Sequence, residues 1–381
     1  MTVILNVIDN PRAFWVVNSL FVFALSVFCA GVLIPQILLI SFRKRLFDVP
    51  DERKIHQGVV PRLGGIAFKP VVFFSVALAL GLNMLLGYGQ LLGNIGSESR
   101  PLAFGFCTIM MLYLVGMADD LIGIRYRAKF AIQIICGLLV IAGGLWINNL
   151  HGLLFIHALP EWIGYPITLF AVVFIINAIN LIDGIDGLAS GLCGVAMLFY
   201  GLVFFIIGEY IYALLAFATL GVLVPFFYYN VFGDPAKKNK IFMGDTGSLT
   251  IGMMTCILSL KLLNGFPVNP SMQQPNAFFL AYSPLIIPCF DVVRVYLHRV
   301  RNGKNPFLPD KNHIHHKMLA IGMKQRTAMI TIVLISVCFT LCNILLSRYI
   351  NVTLLLVLDI FIWTLGNLWL TRRIHIAHSK L

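Results

Sequence analysis

Charge is what this 381-residue chain has least of. Asp, Glu, Lys and Arg make up 12% of it and the mean hydropathy is +0.89, whereas a soluble domain carries about 25% charged residues. That shortage excludes an ordinary water-soluble enzyme and points to an integral membrane protein. CxxC pairs are missing as well. Cys29, Cys107, Cys136, Cys193, Cys256, Cys289, Cys338 and Cys342 all sit in apolar segments, so they read as small core residues that imply neither disulfides nor zinc. There is no long linker, low-complexity tract or clear internal repeat, which leaves one helical membrane domain over residues 1–381.

What is present is a series of apolar runs near the ~20 residues a helix needs to cross a bilayer. Eleven can be counted, at 14–40, 64–86, 101–118, 129–147, 163–180, 188–206, 211–231, 247–264, 277–297, 327–347 and 352–371. The expected fold is an all-α polytopic membrane protein. The first run is too long for a secretory signal, lacks a basic leader and is followed by Arg43, Lys44 and Arg45, so it reads as a retained span. Basic residues set the orientation. The loops after runs 1, 3, 5, 7 and 9 and the C-terminal tail hold 23 of the 28 Lys and Arg residues, which predicts those loops in the cytoplasm and the N-terminus outside. The formal charge of +12 is thereby spent on short loops. It forms no basic stripe for nucleic acid.

Eleven of the sixteen acids fall in or beside these same loops. Topology does not require that, because acids contribute little to orientation. Ionisable groups near hydrocarbon are costly, so a cluster on one membrane face suggests a site. INAINLIDGIDGLASG, residues 176–191, carries Asn177, Asn180, Asp183 and Asp186 at i, i+3 steps with Gly184, Gly187 and Gly191 among them. Helical i, i+3 spacing makes neighbours of successive groups, and the glycines permit a tight turn or close approach of a phosphate. A polar turn between helices is the plainer alternative. Asp119 and Asp120 form an adjacent pair, followed by Arg125, Arg127 and Lys129. Two neighbouring carboxylates repel or attract a cation, though an isolated pair is equally a solvated helix end. In KIFMGDTGSLTIG, Asp245 opens a helix, where it serves either as a cap or as a metal ligand beside free backbone N–H groups.

The last large loop, RNGKNPFLPDKNHIHHKM, concentrates Arg299, Arg301, Lys304, Lys311, His313, His315 and His316. On one helix His313 and His316 share a face and His315 points elsewhere, so a three-histidine zinc site would need an irregular backbone. Imidazoles beside basic residues suit an anionic oxygen better; a solvated charge run is the alternative. Hard oxygen ligands suggest Mg²⁺, which completes its shell with water and substrate phosphates. A site at the membrane edge would let a soluble nucleotide meet a lipid phosphate. Neutralising two anions and aligning them for in-line displacement is then the main catalytic task.

Five ordered motifs carry a resemblance: DVPDERKIHQGVVPRLGG at 48–65, ADDLIGI at 118–124, NAINLIDGIDGLASG at 177–191, FMGDTGS at 242–248 and PFLPDKNHIHH at 306–316. Together they resemble the polyprenyl-phosphate N-acetylhexosamine-1-phosphate transferases, in particular the bacterial undecaprenyl-phosphate N-acetylglucosaminyl branch. The resemblance implies transfer of a sugar 1-phosphate from a UDP-N-acetylhexosamine to undecaprenyl phosphate with release of UMP, at the cytoplasmic face of a bacterial inner membrane, with Mg²⁺ or Mn²⁺. It implies metal ligation by Asp245, Asn180 and Asp120. Catalytic roles fall to Asp119, Asp120, Asp183, Asp186 and His313, and substrate contacts to Asn177, Asn180, Lys129, Arg299, His315 and His316. A phosphomonoester with a second pKa near ~6 is already largely dianionic, so Asp119 is expected to align metal and phosphate, and no covalent nucleophile is assigned. A homodimer is left open.

The peptidoglycan branch, which transfers phospho-MurNAc-pentapeptide, usually carries a different histidine pattern, and HIHH favours the simpler amino sugar. A CDP-alcohol phosphotransferase would show DGxxAR, absent here. The rival of another class is a transporter of anionic conjugates, whose acids should line mid-membrane positions in both halves. Asp359 alone sits mid-span with no evident partner.

Overall fold

The computed structural model describes residues 11–46, 60–89, 95–264, 276–305 and 312–378. The chain is helical throughout these segments. Helix α1 is Pro11–Lys44, and a 3-10 turn at Gly64–Ala67 leads into α2, Phe68–Leu85. They are followed by α3 (Ile95–Ile122), α4 (Tyr126–Ala142), α5 (Glu161–Ile182), α6 (Leu188–Ile207), α7 (Tyr210–Val231) and α8 (Gly244–Asn264). A short α9, Ala277–Tyr282, passes through the 3-10 turn Ser283–Leu285 into α10, Ile286–Arg301. The last elements are α11 (Ile314–Ala320), α12 (Gln325–Leu346) and α13 (Val352–His378).

Among the described residues, ten helical segments are long and apolar enough to cross a membrane. The fourth run, expected at 129–147, folds as the 17-residue α4 and stops where Gly143 and Gly144 follow Ala142, about 26 Å of helix at 1.5 Å per residue, at the short limit for a span. Arg100, near the start of α3, donates to the Ala142 carbonyl at 2.8 Å, so α4 runs back along α3 from one end of the bundle to the other. The ninth run is also reshaped: Pro284 stands in the 3-10 turn that separates α9 from α10, since proline cannot supply the N–H an α-helix needs.

Helix α8 is the hub. It packs against α3, α5, α6 and α9, and against the Gly64–Ala67 turn, and its apolar window is buried along its whole length. Its hydroxyls survive there because they bond within the helix: Thr250 donates to the carbonyl of Thr246, Thr255 to Ile251 and Ser248 to Gly244. The peripheral helices α1, α12 and α13 instead turn large apolar side chains outward, among them Phe28, Leu341 and Phe361, as lipid-facing surfaces do.

The two ends of the bundle differ. At one end, Lys261 of α8 pairs with Glu98 of α3 at 2.8 Å and Glu209 at 3.5 Å, and Tyr212 of α7 donates to Glu98 at 2.7 Å. The other end collects the C-termini of α3 and α5 and the N-termini of α4, α6 and α8, with the residues singled out from the sequence. Asp359 has a partner after all. Asn343 of α12 donates to its carboxylate at 2.8 Å, and both are buried between α12 and α13.

Candidate active site

The start of α8 is built by three strands of chain that meet without forming a sheet. The main chain at 61–65 lies along 242–243: Phe242 N–H donates to Pro61 O at 2.8 Å, Gly64 N–H to Phe242 O at 3.0 Å and Gly65 N–H to Met243 O at 3.0 Å. This pairing brings Gly65 so close to α8 that a Cβ on it would lie 2.0 Å from the Gly247 nitrogen. From α3, the Asp120 carboxylate completes the helix start. Asp245 N–H and Thr246 N–H each donate to it at 2.8 Å, and the Thr246 hydroxyl donates at 2.6 Å. The cap of α8 is therefore Asp120, a residue 125 positions earlier in the chain, and Asp245 is released from capping.

Freed in this way, Asp245 joins a polar cluster. Lys129 of α4 donates to Asp245 Oδ2 at 2.7 Å and to Asp119 Oδ2 at 3.1 Å, so its ammonium lies between two carboxylates. Asn180 of α5 donates to Asp245 Oδ1 at 3.3 Å and to the Ser248 hydroxyl at 2.8 Å. Asp119 is aimed by the chain itself, since its other oxygen accepts from Ile124 N–H at 2.6 Å. These side chains are about three-quarters covered: sheltered, yet open on one side. Two carboxylates converge on the lysine, which occupies the position a cation favours, and hard oxygens of that kind suit a divalent ion.

The stretch 176–191 divides its polar groups among separate tasks. Helix α5 ends at Ile182, so the i, i+3 row holds only for Asn177 and Asn180. The Asn177 amide is committed to Gln133 of α4 at 2.7 Å and to the Val173 carbonyl at 2.7 Å, within the α4–α5 packing. Asp183 stands in the turn with its side chain exposed at the surface. Crowding by surrounding protein first, then the negative charges of Asp245 and Asp186, push its carboxyl up to about 7, with Arg62 pulling the other way. Asp186 is paired with Lys240 at 2.5 Å. Gly187 has φ +77, a left-handed value that favours glycine, and its N–H donates to Asn230 Oδ1 at 2.6 Å.

The histidine loop reaches the same end of the bundle. His313 precedes α11 with ψ 155, outside helical geometry, so the expectation that His315 points away from its neighbours is corrected. The rings of His313 and His315 are parallel at 5.8 Å, and those of His315 and His316 are 4.2 Å apart. His315 is 1% exposed, neither of its ring nitrogens has a hydrogen-bond partner, and it lies against Gly184, where a Cβ would come within 2.2 Å of Nε2. Burial first, and then the nearby His316, lower its pKa to about 3, so it is neutral at physiological pH. Lys317 is likewise pushed down, by burial and by Arg294, to about 8. Among the described residues no three His, Cys, Asp or Glu side chains are grouped so as to hold a metal by themselves. Arg299, 7% exposed, donates to the Asn305 carbonyl at 2.7 Å and holds the start of this loop.

The structure thus joins Asp119, Asp120, Lys129, Asn180 and Asp245 by direct bonds and sets His315 against the Asp183–Gly187 turn. Asn177 and Arg299 are committed to local packing. Asp48, Asp51 and Glu52 of the first motif, and Asp310 and Lys311 of the last, lie outside the described residues. Sequence reasoning missed Gln133, Asn230 and Asp291. Asn230 donates to the Ile241 carbonyl at 2.8 Å, a long-range tie with no local signal.

Comparison with known proteins shows the family of the chain. Residues 102–263 match the model of glycosyl transferase family 4. The chain is 31% identical over 319 residues, 81% of its own length and 79% of the relative's, to an undecaprenyl-phosphate alpha-N-acetylglucosaminyl 1-phosphate transferase of Yersinia pestis. The chain belongs to this transferase family. It is also 30% identical over 347 residues, 89% of its length and 88% of the relative's, to a probable undecaprenyl-phosphate N-acetylglucosaminyl 1-phosphate transferase of Bacillus subtilis (strain 168). In the transferase described here, the family match spans every helix that contributes to the Asp119–Lys129–Asp245 cluster.

Proposed function

We propose that this multi-pass membrane transferase moves N-acetylglucosamine 1-phosphate from UDP-N-acetylglucosamine to undecaprenyl phosphate, releasing UMP, at the cytoplasmic face of a bacterial inner membrane. The whole chain serves as one membrane domain in this reading. The observation that carries it is the Lys129 ammonium between Asp119 and Asp245 at one end of the bundle. A cation-holding cluster at the end of a spanning bundle suits a meeting of a lipid phosphate with a water-soluble nucleotide. The acids of the site gather at that single end, whereas a conjugate transporter would place them mid-membrane in both halves.

Asp245 and Asn180 would hold a Mg²⁺ ion, with Asp120 adding negative charge beside them while its oxygens serve the helix start. When bound, that ion supplies charge neutralisation for the phosphates. Lys129, which lies between Asp245 and Asp119, would remain free to pair with Asp119 or with a phosphate oxygen of the substrate. Asp119, held by Ile124 N–H and Lys129, orients that lysine. The turn at Asp183–Gly187 and the histidine loop line the approach of the nucleotide sugar.

Purified protein given undecaprenyl phosphate, a panel of UDP sugars and Mg²⁺ is expected to release UMP, fastest with UDP-N-acetylglucosamine, and EDTA is expected to stop it. Folded protein that releases no UMP with any UDP sugar would overturn the reading.

A further inference from the structure

Asp291 is the single acid of α10, and its carboxylate is 0% exposed. A charge in such a place is expensive unless its partners are in place. Here they are. Arg294 Nη2 donates to Oδ1 at 2.8 Å and also to the Asn312 carbonyl, Ile314 N–H donates to Oδ1 at 3.0 Å, and His313 Nδ1 lies 2.8 Å from Oδ2. One buried carboxylate therefore touches the first histidine of HIHH and the residue after it, while its partner Arg294 ties down the residue before.

We propose that Asp291 is a positioning residue that fixes the tautomer and orientation of His313, leaving Nε2 as the nitrogen that exchanges a proton with an anionic oxygen of the nucleotide sugar; this rests on the transferase reading above. A carboxylate that accepts from both a backbone N–H and a guanidinium can only accept from the imidazole, so the ring's hydrogen is on Nδ1. In the neutral ring Nε2 then carries a lone pair, and in the protonated ring it carries the transferable hydrogen. Arg294 offsets the charge of Asp291 from the same helix, and the other titratable group facing His313 is His315 of α11, with the His316 ring beyond it at 4.2 Å from His315. The Ile314 N–H bond holds the start of α11 and with it the backbone next to His313, while the Nδ1 contact holds the ring itself.

Asp291→Asn separates this role from mere support. The amide oxygen can still accept from Ile314 N–H, but its NH₂ donates to Nδ1 and forces the ring hydrogen onto Nε2, making it a permanent donor. The same UMP-release assay is run on wild type, D291N, H313A and the double variant, with thermal melts alongside. D291N is expected to lower kcat roughly 100-fold with KM changed little, and the double variant to be no slower than H313A. Multiplying losses in the double variant would overturn the proposal, as would D291N with wild-type kcat. An activity-independent measurement uses ¹⁵N-histidine spectra in lipid nanodiscs, with the His313 signals identified by their disappearance in H313A. A hydrogen on Nδ1 in wild type supports the assignment and one on Nε2 refutes it, even if D291N does not fold. If wild type turns over no UDP sugar, the transferase reading falls while these spectra still decide what Asp291 does.

Discussion

Replacing Asp245 by Asn tests the centre of the site most directly. The amide keeps the shape, and Asn180 and Ser248 keep their own bond at 2.8 Å. What disappears is a unit of negative charge that faces Lys129 at 2.7 Å in a setting about one quarter exposed. The ion pair itself contributes little to folding at that exposure, on the order of 1 kcal/mol, so the melting temperature should fall by no more than a few degrees, about 2–4 °C per kcal/mol for a large chain. Metal binding should suffer far more. A unit-charge pair ~4 Å apart at an effective dielectric near 20 is worth about 4 kcal/mol, which corresponds to roughly 10³ in affinity. Initial rates of UMP release measured across a Mg²⁺ titration should therefore show the half-saturating concentration raised by roughly two to three orders of magnitude, with partial recovery of rate at high Mg²⁺. A variant whose rate is lower at every concentration while its Mg²⁺ midpoint stays at the wild-type value would refute the assignment of Asp245 as a ligand.

Two further expectations follow from other parts of the site. Gly65→Ala would put a methyl group 2.0 Å from the backbone nitrogen of Gly247; because backbone cannot step aside cheaply, the variant should lose folded yield and activity together, as read by size-exclusion profiles and melts. His315, with a pKa pressed from 6.5 down to about 3 in the folded chain, binds its proton more readily when unfolded. Stability from this residue is complete above about 6.5 and is lost as pH falls toward 3, by a few kcal/mol at most. His315→Leu should flatten the decline in melting temperature between those limits, and an unchanged slope would count against the burial argument.

The sequence made some of this architecture legible and hid the rest for physical reasons. Hydropathy alone locates the spans, because each must satisfy its own backbone bonds within lipid. It misplaces the end of α4, where apolar residues continue past Gly143 and Gly144 but the helix does not. The convergence of Asp119, Asp120, Asn180 and Asp245 was readable because each lies at a loop junction on the same predicted face. Their division of labour was not. Asp120 and Asp119 are neighbours of one type in the chain, yet one caps α8 and the other shares a lysine with Asp245, an outcome set by how α3 packs on α8. Asp291 reads as one more loop-side acid until His313 is placed 22 residues later. Asp359 reads as a puzzle until α12 folds back beside α13 and offers Asn343.

Helix α8 touches protein on all sides and carries Asp245 on its first turn. The proposed site is thus moored to a helix enclosed by protein, while α12 and α13, beside the histidine segment, turn large apolar side chains outward. Bilayer thickness and fluidity should therefore govern how fast the isoprenoid acceptor arrives and leaves. The geometry at Asp245 should stay the same from one membrane composition to the next.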